Sequence, residues 1–389
     1  MLSITTLLTR FLSPRPPESK ASATGRLVAF HAQGNPVWTP RDYSALAREG
    51  FQKNPVVYRC VRIISEAAAG VRWLLHEGER ELTRHPLLDL LTRPNARQSG
   101  AELMEAVYGY LLVSGNAYLE AASVAGEIRE LHALRPDRMK LIPGGDGWPE
   151  GYEYTVSGRS IRFDQDGAPP PILHLSLFHP TDDHYGMGPL EAAGNALDLH
   201  NTSADWNKAL LDNAARPSGA LVYEGEGSLS LDQFERLKRE LEDNFQGATN
   251  AGRPLLLEGG LAWQAMGISP KDMDFMEARH AAARDIALAF GVPPMLLGIP
   301  GDNTYSNYAE ANRALWRQTV LPLIGRTAQA LARWLGPAFG EGLALSVDMD
   351  AIDALSADRA ALWSRLEAAS FLSDDEKRLA VGYGVRTEA

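Results

Sequence analysis

The sequence has little cysteine. Cys60 is the only one in 389 residues, so the chain can form no intramolecular disulfide and no zinc site built from cysteine ligands. We interpret Cys60, in VVYRCVRII, as a small buried apolar residue. No apolar run is long enough to cross a bilayer, so we expect no membrane span. The short apolar stretch at the N-terminus is broken by Arg10 and lacks a charged beginning, which disfavours a signal peptide.

The sequence also lacks an excess of basic charge. Lys and Arg number 38 against 49 Asp and Glu, which gives a net charge of −11. Binding to duplex nucleic acid depends on Lys and Arg that neutralise phosphates, so this balance disfavours a protein that grips nucleic acid over a broad surface. An apolar fraction of 45% and a charged fraction of 22% are typical of a folded protein.

Common catalytic motifs are missing as well. The sequence contains no HExxH, GxSxG, CxxC or GxGxxG. GATNAGRP, from Gly247, has the glycine spacing of a phosphate-binding loop. Arg253 and Pro254 stand there in place of the required Lys and Ser or Thr, so we interpret it as a turn. We expect no enzyme, no cofactor and no bound metal.

HPTDDHYG is the densest group of potential metal ligands. It places His179, Asp182, Asp183 and His184 within six positions, and two histidines with two carboxylates are able to bind a metal ion. The run follows a predicted strand and precedes Gly186, a context in which Asp and His usually serve turns. A metal-dependent hydrolase centred on His179–His184 remains the alternative from the enzyme class.

The apolar periodicity predicts an α+β protein. Helices are predicted from Asn54 and from Ser99, where Glu102 completes a capping box. Strands flanking Ala125-Gly126 and Ser157-Gly158 predict two hairpins.

A long helix is predicted from Gly188-Pro189, because proline is favoured at the first helical position. Its apolar stripe is narrow and has polar members, which indicates a helix packed against a few long neighbours more than one buried in a core. The stripe consists of Leu190, Ala193, Leu197, His200, Ala204, Asn207, Leu211 and Ala214. We interpret His200, like the histidines at 132, 174 and 280, as a packing residue with satisfied polar atoms.

The stretch SPKDMDFMEARHAAARDIALAFGVPPMLLGI predicts a second long helix that ends abruptly. Ser269 is its predicted N-cap, and its stripe includes Met276 and Phe290. Gly291 is placed to adopt the left-handed C′ conformation, and Pro293-Pro294 stop the helix. A third long helix is predicted from Asn307 with a kink at Pro322, and the sequence after residue 348 predicts a final helical pair.

Seven segments occur in an order that resembles portal proteins of long-tailed bacteriophages, a family that includes portals of prophages and gene transfer agents. They are HPLLDLLTRPN, LLVSGNAYLE, ELHALRPDRM, YGMGPLEAAGNAL, GRPLLLEGG, AFGVPPMLLGI with TYSNYAEA, and LPLIGRTAQALARWL. Each segment alone is a turn or a cap, but seven in order form a specific match that spans Asn54 to Gly384.

The resemblance implies an α+β portal-type subunit with a mixed wing, long stem helices, a small clip and a helical C-terminal region. The implied divisions are wing (54–187), stem helix (188–216), clip (217–268), stem helix (269–291), tunnel loop region (292–306), tunnel or wing helix and strand (307–347) and crown-like helices (348–389). Residues 1–53 have no match in the resemblance, and because this stretch turns rich in Pro and Ser we interpret it as a partly disordered N-terminal arm.

The resemblance also implies residue roles. The implied corner is formed by Gly291, Pro293 and Pro294, and the implied stem packing by Leu190, Leu197, Leu211, Met276 and Phe290. The implied channel loop consists of Ile299, Pro300, Gly301, Asp302, Asn303, Thr304, Tyr305 and Ser306.

The implied assembly is a ring of identical subunits, usually a dodecamer, at one capsid vertex of the virion, assembled in the bacterial host cytoplasm. The implied partners are the terminase large subunit, the major capsid protein, a head–tail adaptor and passing double-stranded DNA, with no membrane. A ring-forming head–tail connector or adaptor without a motor contact is the third hypothesis.

Overall fold

Helices and short antiparallel sheets alternate along the chain, as the predicted α+β class requires. The computed structural model describes residues 38–145, 147–212, 219–223, 261–265, 275–300 and 305–385, together with residues 230, 232, 233, 235, 236 and 239. The α-helices are α1 (Tyr43–Leu46), α2 (Pro55–Ala69), α3 (Pro86–Thr92), α4 (Gly100–Ser114), α5 (Pro189–Ala192), α6 (Gly194–Asp212), α7 (Phe275–Ala289), α8 (Tyr305–Leu315), α9 (Leu321–Phe339), α10 (Ser356–Glu367) and α11 (Asp374–Val381). The strands are β1 (Trp73–Glu77), β2 (Arg80–Leu82), β3 (Asn116–Val124), β4 (Glu127–Leu134), β5 (Met139–Pro143), β6 (Pro149–Val156), β7 (Arg159–Asp164), β8 (Ile172–Ser176), β9 (Gly219–Tyr223), β10 (Leu261–Ala265) and β11 (Leu343–Val347).

The described strands pair in small sheets with the orders β11-β1-β2, β4-β3-β8, β5-β6-β7 and β10-β9. Both predicted hairpins are confirmed, with Val124 opposite Glu127 in one and Val156 opposite Arg159 in the other. Their turns place Ala125 and Ser157 at positive φ, each followed by a glycine that also has positive φ. Within the predicted clip, β9 and β10 pair antiparallel, and most of the intervening chain lies outside the described residues.

The main core forms around α2 and α4. Asn54 caps α2, and Ser99 and Glu102 complete the predicted capping box of α4. Buried side chains line much of α4, so this helix lies inside the core rather than at its edge. A smaller apolar cluster, with Tyr118 and Tyr152 among its members, lies between the β4-β3-β8 and β5-β6-β7 sheets.

The predicted boundary of the N-terminal arm is wrong. Residues 38–53 are ordered parts of the fold: α1 continues into a π-helical segment, Ala47–Gln52, and Leu46 is buried in the main core. Thr39 donates two hydrogen bonds to the Asp198 carboxylate on α6, and Lys53 pairs with Asp205 at 3.0 Å. This segment is ordered because it buries apolar area and attaches to α6 through polar contacts distant in sequence. Residues 1–37 lie outside the described part of the chain.

The long helix predicted from residue 188 is interrupted. α5 ends at Ala192, Ala193 has ψ −2°, and α6 begins at Gly194. The Arg41 guanidinium lies against Gly194, where an added Cβ would meet Arg41 Nη1 at 1.5 Å. Arg41 Nη2 also donates to Asn195 Oδ1 at 2.8 Å. The single predicted helix is therefore two in the structure, and residues 213–216 lie outside the described part.

A close backbone crossing positions the loop that leads from β8 to α5. Gly115 ends α4 with φ 76°, and a Cβ there would lie 2.5 Å from backbone atoms of Gly186 and Gly188. Asn116 fixes the crossing: its Nδ2 donates to Gly186 O at 3.0 Å, and its Oδ1 accepts from Gly186 N at 2.7 Å.

The C-terminal third continues the helical part. α8 leads through a π-helical segment, Trp316–Val320, into α9, whose first turn contains Pro322. The π-helical turns lie where Pro322 has no N–H to donate to the preceding turn. The predicted final pair of helices is confirmed as α10 and α11. Val385 follows α11 and bridges to Arg80 on β2, which attaches the C-terminal helices to the first sheet.

Candidate functional site

The corner after α7 is held by its own backbone and by a second helix. Gly291 has φ 66°, the left-handed conformation that the helix-stop pattern predicts. Val292 N donates to Ala287 O at 2.9 Å, and Gly291 N donates to Leu288 O at 3.0 Å. Thr319, in the π-helical segment between α8 and α9, donates from Oγ1 to Gly291 O at 2.8 Å. The helix end is therefore fixed to the next long helix.

The chain beyond the corner is anchored in the subunit. Pro294–Leu297 form a turn of 3-10 helix, and Leu296 is buried in the main core. Ile299, predicted to begin the channel loop, is only 8% exposed, so its side chain packs within the subunit. Pro300 is exposed, and its carbonyl accepts a hydrogen bond from Arg284 of α7.

The predicted channel loop is shorter than the sequence suggests. Gly301, Asp302, Asn303 and Thr304 lie outside the described residues. Tyr305 and Ser306, predicted as loop, form the start of α8, which begins two residues before the predicted Asn307. Good helix formers after Ser306 extend the helix back into the polar segment.

The predicted stem-packing residues do not share one surface. Leu190 and Leu197 are fully buried and Phe290 is 3% exposed, all within the subunit's own core. The interpretation that this stripe faces neighbouring long helices more than a core is therefore wrong for Leu190 and Leu197. Met276 is 56% exposed, so it does not pack within the described subunit. The side chain of Leu211 lies outside the described part of the chain.

Sequence periodicity missed two exposed apolar residues on these helices. Leu199 on α6 is 50% exposed and Leu288 on α7 is 78% exposed. α6 and α7 pack against each other, so these side chains lie on the outer faces of a helix pair. Both lie off the apolar stripes that the sequence indicates. A leucine that lies off the stripe of its helix is the sequence signal that could have identified them. With Met276, they are the large apolar side chains at least half exposed on the described parts of α6 and α7, and the three are called the "outer helix surface" below.

The HPTDDHYG segment is a turn, and its potential ligands serve that turn. Asp182 Oδ1 accepts from the backbone N–H groups of His184 at 2.8 Å and Tyr185 at 2.9 Å, and these bonds lower the pKa of the carboxyl below its usual value. His179 Nδ1 accepts from Thr181 N at 3.1 Å. Across the described residues, no three or more His, Cys, Asp or Glu side chains are grouped so that they could hold a metal ion. The hydrolase alternative has no geometric support in this segment.

A charged cluster that the sequence did not indicate joins the C-terminal helices. Asp350 accepts from Arg359 Nη2 at 2.9 Å, from Tyr383 Oη at 2.7 Å and from Trp363 Nε1 at 3.2 Å. These donors, with Arg359 first, lower the pKa of Asp350 to about 2. The cluster links the turn before α10 to α10 itself and to the segment after α11.

The described helices include none that is both long enough and apolar enough to span a bilayer.

The comparisons with known proteins agree with this architecture. A family model described as phage portal protein matches residues 55–382. The chain is 42% identical over 346 residues to an uncharacterized protein of Rickettsia bellii (strain RML369-C), covering 86% of this chain and 88% of the relative. It is 28% identical over 309 residues to the portal protein of Enterobacteria phage HK97, covering 76% of this chain and 70% of that protein.

A solved structure extends the agreement to three dimensions. A chain in the neck of a native gene transfer agent particle, computed with C12 symmetry, is 55% identical with a TM-score of 0.68, covering 94% of this chain and all of that one (100%). These matches define the class as portal proteins of phages and gene transfer agents, a structural class. The chain belongs to the phage portal protein family. The family and the portal-type fold predicted from seven sequence segments are confirmed, and the match favours a portal over a separate connector or adaptor.

Proposed function

We propose that this portal protein assembles as a homo-oligomeric ring, a dodecamer, at one vertex of a virion capsid. The observation that carries the proposal is the chain 55% identical to it in a particle neck of C12 symmetry. Nearly full coverage at that identity supports a similar assembly here. DNA would pass through the ring during packaging and again during ejection into the tail.

The ring needs two different complementary surfaces on each subunit, because a cyclic assembly is heterologous. The outer helix surface supports one of them: Leu199, Met276 and Leu288 are large apolar side chains at least half exposed in the subunit. We propose that α6 and α7 are the stem, residues 217–268 the clip, residues 54–187 the wing, and residues 348–389 the crown-like end.

The proposed channel segment is 300–304. It follows Ile299, whose side chain is buried in the subunit, and precedes the start of α8. The terminase large subunit, the major capsid protein and a head–tail adaptor are the proposed partners, and assembly is proposed to occur in the bacterial host cytoplasm. The chain has no catalytic role or cofactor in this proposal.

Electron microscopy of the purified protein tests the proposal directly. We expect closed rings with an axial hole wide enough for duplex DNA, and a mass in solution that corresponds to twelve copies of the 42.4 kDa chain. A protein that stays monomeric at high concentration, and also with its capsid protein present, would contradict the ring.

A further inference from the structure

Three buried polar side chains join α6 to the start of α2. Asn54, His200 and Asn201 are 1%, 3% and 8% exposed. Buried polar groups need hydrogen-bond partners, and these three find them in one another. We call Asn54, His200 and Asn201 the latch cluster.

The orientation of Asn54 is fixed by the helix that it caps. Its Oδ1 accepts from Val56 N at 3.0 Å and from Val57 N at 3.1 Å at the start of α2. Its Nδ2 therefore faces α6, where it lies 2.8 Å from Asn201 Oδ1 and 3.0 Å from His200 Nδ1. Rotating the amide would place a donor against the helix N-terminus, so Nδ2 must stay the donor.

The second amide is fixed in the same way. Asn201 Nδ2 donates to Glu49 O at 2.8 Å, which leaves its Oδ1 as the acceptor for Asn54. With both amides oriented, His200 Nδ1 must accept the remaining N–H of Asn54. A histidine whose Nδ1 accepts is neutral and carries its proton on Nε2.

A cation lies on the Nε2 side of the His200 imidazole. Arg279 of α7 has its Nε 3.5 Å from His200 Nε2, at the outer limit of a hydrogen bond. Both atoms are donors when His200 is neutral, so the contact is weak, and a charged imidazolium would be repelled. Burial first, and then the charge of Arg279, lower the pKa of His200 below its ordinary value.

We propose that the latch cluster is an acid-sensitive contact, which holds α6 against the N-terminus of α2 while His200 is neutral and loosens when His200 is protonated. Protonation puts a hydrogen on Nδ1 opposite Asn54 Nδ2, which is itself a donor and cannot accept it. Charged groups near the cluster in sequence occur on every packed element: Arg48, Glu49 and Lys53 before α2, Arg59 on α2, Asp198 and Asp205 on α6, and Glu277 and Arg279 on α7. Lys53 pairs with Glu49 and Asp205, and Asp198 accepts from Thr39, so among the described residues the charge that acts on the His200 imidazole is that of Arg279.

The sign of the pH effect follows from the lowered pKa. Because the unfolded chain takes up the proton more readily, the contribution to stability is complete above the ordinary histidine pKa of about 6.5. This contribution to stability is lost as the pH falls from the ordinary histidine pKa through the pKa of His200 in the folded protein. This pH dependence belongs to the single subunit and does not require the ring of subunits.

Hydrogen–deuterium exchange at histidine C2, followed by mass spectrometry, gives the pKa of each histidine in the whole protein. We expect the pKa of His200 to lie below the ordinary histidine value of about 6.5. Asn54→Asp keeps the Oδ1 cap but replaces the donor facing His200 with an acceptor, so we expect it to raise the pKa of His200 by at least about one unit, a tenfold gain in proton affinity. A wild-type pKa at or above the ordinary value, or no rise in Asn54→Asp, overturns the proposal.

Thermal unfolding between about pH 7.5 and 5.5, on either side of the histidine pKa, supplies the second measurement. His200→Asn keeps an acceptor near the position of Nδ1 but cannot titrate. We expect the wild type to lose at least about 2 °C more in melting temperature over this range than His200→Asn. His280→Asn, the same change made on α7 outside the latch cluster, should keep the wild-type pH dependence. Equal pH dependence in the wild type and His200→Asn overturns the proposal. If His200→Asn does not fold, the exchange measurement decides alone.

Discussion

Gly291 and Gly298 have nearly the same backbone conformation, so a comparison of the two distinguishes backbone strain from steric crowding. Gly291 has φ 66° and Gly298 has φ 71°. A Cβ on Gly291 would lie 2.6 Å from Thr319 Oγ1, whereas a Cβ on Gly298 has nothing within 4 Å. Of these two, Gly291 alone has both a conformational and a steric reason to be glycine.

We therefore expect Gly291→Val to lower the free energy of unfolding more than Gly298→Val. Both variants meet the left-handed penalty of about 1–2 kcal/mol, and Gly291→Val also disturbs the bond from Thr319 to the Gly291 carbonyl. Urea unfolding of both variants beside the wild type measures the difference. Equal losses would show that the contact with Thr319 adds nothing to the corner.

Asp350 is expected to stabilise the C-terminal helices over most of the pH range. Its side chain is 24% exposed and that of Arg359 is 12% exposed, so the pair is only partly screened by solvent. Asp350→Asn should lower the free energy of unfolding by about 1–3 kcal/mol near neutral pH. Because the folded-state pKa is depressed to about 2, the difference should persist down to about pH 4 and be lost as the pH falls through about 2.

Chemical unfolding of both proteins across that pH range checks the expectation. Asp353→Asn, which changes an exposed carboxylate three positions on, is the control and should have little effect. A difference that stays constant below about pH 3 would show that the charge of Asp350 is not what matters.

At the scale of elements, α6 shows where periodicity misleads. A stripe at heptad spacing is the same whether a helix meets a neighbouring copy or its own core. The structure buries Leu197 completely and leaves Leu199, two positions away, half exposed. We therefore expect a polar change at Leu197 to destabilise the folded subunit and not to act on assembly alone.

The paired variants Leu197→Asp and Leu199→Asp test this assignment. Leu197→Asp places an unpaired charge in the core and should cost the subunit at least about 3 kcal/mol. Leu199→Asp should change subunit stability by about 0.5 kcal/mol or less but weaken ring formation if the outer helix surface is an interface. Circular dichroism reports folding and light scattering reports assembly. A folded Leu199→Asp that forms normal rings would remove α6 from the proposed interface.

Elements with local signals were predictable from the sequence. The caps at Asn54 and Ser99, both hairpins and the left-handed Gly291 depend on residues within a few positions of each other. The break between α5 and α6 depends on Arg41, more than 150 residues before Asn195, and no window of sequence contains both. The order of residues 38–53 has the same origin, because Asp198 and Asp205 hold that segment.

At the scale of the whole molecule, the family was predictable but the site only partly so. Seven segments in order identify a portal, since motif order reflects the entire fold. Whether a side chain such as Ile299 faces a channel depends on its burial within the subunit, and burial is set by packing. The segment that the resemblance implies as the channel loop, Ile299 to Ser306, begins with a buried side chain and ends inside α8.

The charge of the molecule leads to the last prediction, which concerns DNA. The net charge is −11, and the segment from Gly298 to Asn307 contains Asp302 as its only ionised side chain. A protein that neutralised about six phosphates would lose roughly a thousandfold in affinity for duplex DNA between about 50 and 200 mM salt. We expect instead weak binding of free duplex with a shallow dependence on salt, because few phosphates are neutralised and DNA must keep moving.

Replacing Asp302 and Asn303 with lysine should therefore strengthen duplex binding, steepen its salt dependence and slow packaging, while rings still form. Asp353→Lys, far along the chain from the loop, is a control for the added charge alone. The measurements are duplex affinity across a salt series, the yield of DNA-filled particles, and ring formation by electron microscopy. If the wild type binds tightly with a steep salt slope, or if the double-lysine protein packages normally, segment 300–304 does not face the DNA.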